Sequence, residues 1–264
     1  MQGHKENERV SDGNSRLDLA ILTVLGDRED QQDSFGYELK TDEGLIVVCD
    51  GMGGHEGGRQ ASSLAVNEFL TAYDRNYPCS DPVAFLDSTT RKADARIYEL
   101  TGEEGKRLRA GSTVVAVLVR DRQLYWSSVG DSRAYLLRGE EFVQITEDHN
   151  YKTVLRERLE AGLIDAQEYA KENSRAEALI SFLGIGGLQL VDYNDKALRL
   201  EKDDKIVIMS DGLYKVVSEA EIFRVIGNFS NISEALQALN MKAQKKAGPG
   251  VRRDNMTVAI VKIK

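Results

Sequence analysis

Of the 264 residues only two are Cys, three are Pro, three are His and one is Trp. Cys49 and Cys79 form no C-x-x-C pair, so neither a cysteine zinc knuckle nor a disulfide framework is implied. Two buried or free thiols in a reducing cytoplasm is the expectation. Histidine occurs only at positions 4, 55 and 149, too few for a His-rich zinc site. With proline confined to 78, 82 and 249, and no low-complexity linker or solenoid-period repeat, one compact domain is expected. No apolar stretch approaches the ~18–20 residues of a spanning helix. The opening MQGHKENERVSDGNSR lacks the apolar run of a signal peptide and reads as a solvated tail over 1–16. The strings G-x-x-x-x-G-K-[ST] and G-x-S-x-G are missing, which removes the main support for kinase-type and serine-hydrolase chemistry. Positive charge is in deficit as well: 35 Lys+Arg against 43 Asp+Glu, a net charge of −8. That balance argues against nucleic acid or anionic lipid as a partner.

What remains is a chain 41% apolar and 30% charged, the composition of a soluble globular domain. Apolar, β-rich runs cover Leu19–Val24, Ser34–Leu39, Leu45–Cys49, Thr113–Val119, Leu124–Val129, Ala134–Leu137, Lys205–Met209 and Met256–Ile263. The short intervals between several of them favour antiparallel hairpins. Helical spacing appears at Ala61, Leu64, Ala65, Phe69 and Ala72; at Leu86, Ala93, Ile97 and Leu100; at Leu155 and Leu159; and at Ile232, Ala235, Leu236 and Leu239. Antiparallel strand groups with long amphipathic helices between them give an α+β class, helices packed on sheets. The charged stretch from Asp148 to Asn173 reads either as two short surface helices or as a mobile flap beside a site.

Carboxylates recur at strand boundaries. LIVVCDG ends at Asp50-Gly51, KIVIMSDG at Asp211-Gly212 and LYWSSVGD at Asp131, while Asp33 and Asp254 stand just before strands. In an antiparallel hairpin the start of one strand lies beside the end of its partner, so Asp33 and Asp50 should meet. If the strands flanking Asp211 and Asp254 pair, those two meet likewise. Asp-Gly is also a common turn dipeptide, so each Asp taken alone reads as a turn residue. Carboxylates gathered at one sheet end repel unless protonated, paired or metal-bound. An all-oxygen set suits Mg²⁺ or Mn²⁺ best, Ca²⁺ second and Zn²⁺ poorly. Two such ions about 3.5–4 Å apart would make a clamp for hydrolytic phosphoryl chemistry.

The strings R-E-D-Q-Q-D (28–33), V-V-C-D-G-M-G-G-H (47–55), G-S-T (111–113), G-D-S-R-A-Y (130–135), M-S-D-G-L (209–213) and D-N-M-T (254–257) come in one order over roughly residues 17–264. In them the chain resembles the metal-dependent serine/threonine protein phosphatases of type 2C, the PPM family, in bacterial form. The resemblance implies a four-layer α-β-β-α sandwich, two antiparallel sheets flanked by helices, with a catalytic domain over 17–264 and a flap-like segment over 148–184. It implies that Asp50 bridges two Mg²⁺ or Mn²⁺ ions and that the Gly51 carbonyl binds one of them. Asp211 and Asp254 complete the second position, and Asp33 is a ligand or holds a metal-bound water. Asp131 is similar to the residue that, with Asp211, holds a third ion in bacterial members; Asn255 has a supporting role. Arg28 is the implied phosphate-binding arginine. A dimetal-bound hydroxide would attack phosphorus directly, with no covalent phosphoenzyme. The position of a proposed acid histidine in many eukaryotic members is Met52 here, leaving His55 as the nearest acid; His149 is expected to be structural. The string after His55, E-G-G-R-Q-A-S, departs from the family where an acidic residue is common near Arg59, and Gly162–Gly184 keeps little of the pattern.

These residues imply dephosphorylation of phosphoserine and phosphothreonine proteins by a cytoplasmic monomer, opposing a serine/threonine kinase. The alternatives are a dedicated regulator of one phosphorylated signalling partner, a non-catalytic phosphoprotein-binding module, and, fitting poorly with the acidic balance, a Mg²⁺-dependent nuclease.

Overall fold

The computed structural model describes residues 7–102, 105–247 and 252–264, without the side chains of His55 and Glu56. In chain order its elements are β1 (Asn7–Gly13), β2 (Leu17–Val24), β3 (Asp33–Leu39), β4 (Glu43–Met52), α1 (Gly54–Asn76), α2 (Pro82–Tyr98), β5 (Gly111–Ser112), β6 (Val114–Arg120), β7 (Gln123–Val129), β8 (Arg133–Arg138), β9 (Glu141–Gln144), α3 (Tyr151–Glu160), α4 (Ala166–Glu172), β10 (Asp192–Tyr193), β11 (Leu198–Arg199), β12 (Lys205–Met209), α5 (Asp211–Tyr214), α6 (Glu219–Gly227), α7 (Ile232–Lys246) and β13 (Met256–Ile263). A six-stranded sheet has the order β1-β2-β13-β12-β8-β9. A seven-stranded one runs β10-β7-β6-β4-β3, with β11 also on β7 and β5 on β4. All pairings are antiparallel.

The central strands read as unbroken apolar runs because both of their faces are covered. Side chains alternate across a strand, so neighbours enter different cores. Leu19, Ile21, Ile46, Val48, Val115, Val117, Ile206, Ile208, Ala259 and Val261 fill the space between the two sheets. Leu45, Val47 and Cys49 turn the other way, onto Ala61, Ala65 and Phe69 of α1 and Leu86 and Ala93 of α2. Ala20, Leu22, Val207, Met209, Val258 and Ile260 of the other sheet meet Ile222 of α6 and Leu236 and Leu239 of α7. The result is the expected four layers, helix–sheet–sheet–helix, and the strand and helix periodicities land where the sequence placed them. Cys49 and Cys79 are buried and unpaired.

One expectation changes, and one left open between two readings is decided. The tail over 1–16 is corrected: Asn7–Gly13 forms β1, paired residue for residue with β2 from Asn7↔Val24 to Gly13↔Asp18. It is a polar edge strand, with only Glu8 and Val10 half-buried, so apolar patterning could not reveal it. The remainder of that expected tail, 1–6, lies outside the described residues. The charged stretch after Asp148 holds the two short helices α3 and α4. Leu155 is buried but Leu159 is exposed, and α4 buries nothing. Among the described residues, no helix is long and apolar enough to cross a membrane.

Candidate metal centre

The hairpin β3–β4 pairs Asp33 directly with Asp50, as the register argument required. The second pairing also exists: β12 lies against β13 with Met209 opposite Val258, which brings the following Ser210-Asp211 to the preceding Asp254-Asn255. Ser210 joins the two sheets at this end. Its amide donates to the Thr257 carbonyl (3.0 Å), its hydroxyl accepts from the Thr257 amide (2.9 Å) and donates to Asp33 Oδ2 (2.8 Å). Asp131 stands in the turn between β7 and β8 and faces the same cluster.

Packing at this end is too close for side chains at two positions. A Cβ on Gly51 would run into the carbonyl oxygen of Gly58, and one on Gly212 into that of Asn255. Only glycine lets the backbones after Asp50 and Asp211 approach so nearly. Asn255 secures the loop before β3: its Oδ1 accepts from the Gln32 amide (2.9 Å) and its Nδ2 donates to the Leu25 carbonyl (2.8 Å). Gln31 accepts from the Asp33 amide (3.0 Å).

The electrostatics follow from crowding. Asp33 is 2% exposed, and burial, then the charges of Asp211 and Asp254, push its pKa up from 3.8 to about 7. Asp33 Oδ1 is buried with no hydrogen-bond donor. Burial, then Asp33, Asp211, Asp131 and Asp254, raise Asp50 well above the usual carboxylate range. Burial and then Asp211 push Asp131 up to about 6. Each of these groups is more costly to ionise here than in water, because like charges face it in a desolvated site.

Two basic residues temper the cluster. Arg28 Nη2 donates to Asp254 Oδ2 at 2.5 Å. Lys215 Nζ lies 2.6 Å from Asp211 Oδ2 and 4.0 Å from Asp131 Oδ2. With these partners engaged, no three carboxylates among the described residues close into a ready ligand group. The donor set nevertheless fits hard divalent cations at Asp33, Asp50, Asp211 and Asp254. It is all oxygen, it includes an orphaned buried carboxylate oxygen, and its mutual repulsion is what a divalent charge relieves. The fit fails between Asp131 and Asp211, where the Lys215 ammonium already stands.

Arg28 lines a polar cleft of about 390 Å³ with Glu29, Asp30, Gln32, Gly54, Arg252 and Asn255. Arg59, the departure noted in the sequence, sits 4.0 Å from Asp30. The His55 side chain, expected to be an acid, lies outside the described residues; its backbone belongs to the first turn of α1. His149 is 1% exposed, its Nδ1 accepting from the Gly130 amide at 3.3 Å, and burial pushes its pKa down to about 4. Burial thus favours the neutral imidazole, whose Nε2 is buried without a partner.

Three participants escaped the sequence reading. Ser210 carries no sign of a link to Asp33, 177 positions away. Lys215 follows Asp211 at helical spacing, a signal that works only once Asp211 is known to open a helix. Asp94, buried on the inner face of α2, accepts backbone N–H bonds from Gly184 (2.7 Å), Gly186, Gly187 and Leu188, and so pins the far end of the 148–184 segment. Its signal was a carboxylate in a helix stripe otherwise made of apolar residues and two threonines.

Comparison with known proteins places the whole fold. The sequence profile described as Protein phosphatase 2C matches residues 11–255. The serine/threonine phosphatase stp of Listeria innocua is 30% identical over 238 residues, covering 89% of this chain and 90% of that protein. The solved S. agalactiae serine/threonine phosphatase superposes with a TM-score of 0.79 at 28% identity, over 94% of this chain and all of that one. The catalytic domain of the serine threonine protein phosphatase PstP, solved in complex with two manganese ions, superposes with a TM-score of 0.73 at 28% identity, over 94% and 98% of the two chains. The chain belongs to the protein phosphatase 2C family.

Proposed function

We propose that this chain, a metal-dependent protein phosphatase by family, hydrolyses phosphoserine and phosphothreonine esters at the carboxylate cluster beside Arg28. The observation that carries the reading is the meeting of Asp33, Asp50, Asp211 and Asp254 at one end of both sheets, with the Arg28 guanidinium bonded to Asp254 at the mouth of a polar cleft. The cofactor is Mg²⁺ or Mn²⁺, and the PstP neighbour was solved with two such ions. Asp50, Asp211, Asp254 and the Gly51 carbonyl would hold them. When bound, the ions supply a water acidic enough to act as nucleophile near neutral pH and polarise the phosphoryl oxygens.

The remaining work falls to the chain. Arg28 can turn its planar fork from Asp254 to two phosphoryl oxygens, giving paired charge-assisted hydrogen bonds that strengthen as phosphorus gains charge. Asp33, held by Ser210, would serve as a further oxygen ligand or hold a bound water in place. Asn255 and Gln31 keep Asp254 and Asp33 in place through the backbone. His55 stands near enough in sequence to Asp50 to be the acid for the leaving alkoxide. Phosphorylated proteins are the substrates, and the setting we infer is a cytoplasmic monomer opposing a serine/threonine kinase. Purified protein should release phosphate from a phosphothreonine peptide with Mn²⁺ and stop with EDTA. Full activity in Asp50→Asn would sink the assignment. Phosphoproteomes of a strain lacking the gene, rescued by wild type or by Asp50→Asn, would identify the substrates.

A further inference from the structure

Lys215 caps the single turn that begins at Asp211, and its ammonium, though its side chain is 42% exposed, reaches back to the carboxylates. Nζ stands 2.6 Å from Asp211 Oδ2, 3.8 Å from Glu177 Oε2 and 4.0 Å from Asp131 Oδ2. These carboxylates come from three parts of the chain: the start of α5, the end of the 148–184 segment, and the β7–β8 turn. The Asp131 turn is itself tied to α5, because the Tyr214 hydroxyl donates to the Asp131 carbonyl at 2.9 Å. Tyr214 in turn lies 3.8 Å from the Arg133 guanidinium, which grips Asp148 (2.7 Å). The Asp131 side of the contact is therefore held by the fold, while Glu177 is exposed.

We propose that Lys215 is a tethered cation occupying the place between Asp131 and Asp211, so that this chain binds divalent ions at Asp50 and its neighbours but excludes one from the Asp131 side. An ammonium is a compact point charge with three donors, well matched to carboxylate oxygens converging from several directions. A Mg²⁺ or Mn²⁺ ion would need the same lone pairs of Asp131 and Asp211, at the shorter reach of metal–oxygen bonds. It would also have to displace a positive charge that the chain itself supplies at 2.6 Å from Asp211, four residues further along. An Asp followed four residues later by Lys is the favourable order for such a pair on a helix. The inference rests on the metal-centre reading above and narrows it.

The test is a count of Mn²⁺ bound per chain, by calorimetry and by electron paramagnetic resonance of the free ion. It is run on the full chain as wild type, Lys215→Arg, Lys215→Met, Asp131→Asn and Lys215→Met/Asp131→Asn. Wild type, Lys215→Arg and Asp131→Asn should give the same count. Lys215→Met should gain one further ion, and the added Asp131→Asn should remove it. Three ions on wild type, or loss of one on Asp131→Asn alone, would overturn the proposal whether or not the Lys215 variants fold. So would a folded Lys215→Met with an unchanged count. No ion on any variant would instead remove the metal centre itself, and this inference with it.

Discussion

Replacing Asp33 by Asn should stabilise the metal-free protein while abolishing turnover. Asp33 is fully buried, Ser210 satisfies one of its oxygens and no donor reaches the other. Burial and the neighbouring carboxylates raise its pKa from 3.8 to about 7. At pH 8 the folded protein must therefore keep an ionised group that the unfolded chain ionises far more easily. The displacement corresponds to at most about 4 kcal/mol of lost stability. Asn keeps the shape and still accepts from Ser210, but its NH₂ replaces the orphaned oxygen, at a cost of about 1–3 kcal/mol if unpaired. The net gain is about 2 kcal/mol, roughly 5 °C in melting temperature for a chain of this size.

The pH dependence has a definite sign. A carboxylate raised in the folded state binds more protons there than in the unfolded chain between about pH 4 and 7. The wild type thus loses this contribution as pH rises through that window and has lost all of it above about 7. The assay is a series of thermal melts in EDTA from pH 5 to 8.5. The Asn variant should gain on wild type up to about pH 7 and keep a constant lead above it. With Mn²⁺, wild type should recover through binding to the native state, and the variant should recover less. An Asn variant that melts below wild type in EDTA at pH 8, or a difference that does not change with pH, would refute the reasoning.

Two further outcomes follow from the same contacts. Arg28→Ala should lower kcat/KM on a phosphothreonine peptide by about 10²-fold or more, with the Mn²⁺ count unchanged. Lys at that position should restore only part of the loss, since it cannot grip two oxygens at once; wild-type kinetics in Arg28→Ala would remove it from the cleft's chemistry. Asp94→Ala should cost about 3 kcal/mol, because four backbone N–H groups, two of them buried, lose a charged acceptor together. Hydrogen exchange should then rise first at 184–188, and protection unchanged there would show that other contacts hold the loop.

The division between sequence and tertiary structure runs along contact distance. LIVVC and KIVIM were legible as strands because both of their faces are buried, which leaves no polar interruption to blur the pattern. The Asp33–Asp50 meeting was legible because a hairpin's register is a local matter, fixed by the turn between its strands. β1 was not, since an edge strand can be polar along most of its length, and β10 and β11, two residues each, are too short to carry a period. The sequence by itself determined the buried strands, the glycines that let them close, and which carboxylates stand at their ends. Only the tertiary structure decided how those ends converge. Ser210 reaches Asp33 across the sheets, Asp94 reaches Gly184 across 90 positions, and Lys215 meets both Asp131 and Asp211. Such contacts depend on how two sheets are stacked and on which way one short helix turns. Those choices are made by the packing of side chains distant in the chain, and no local pattern encodes them.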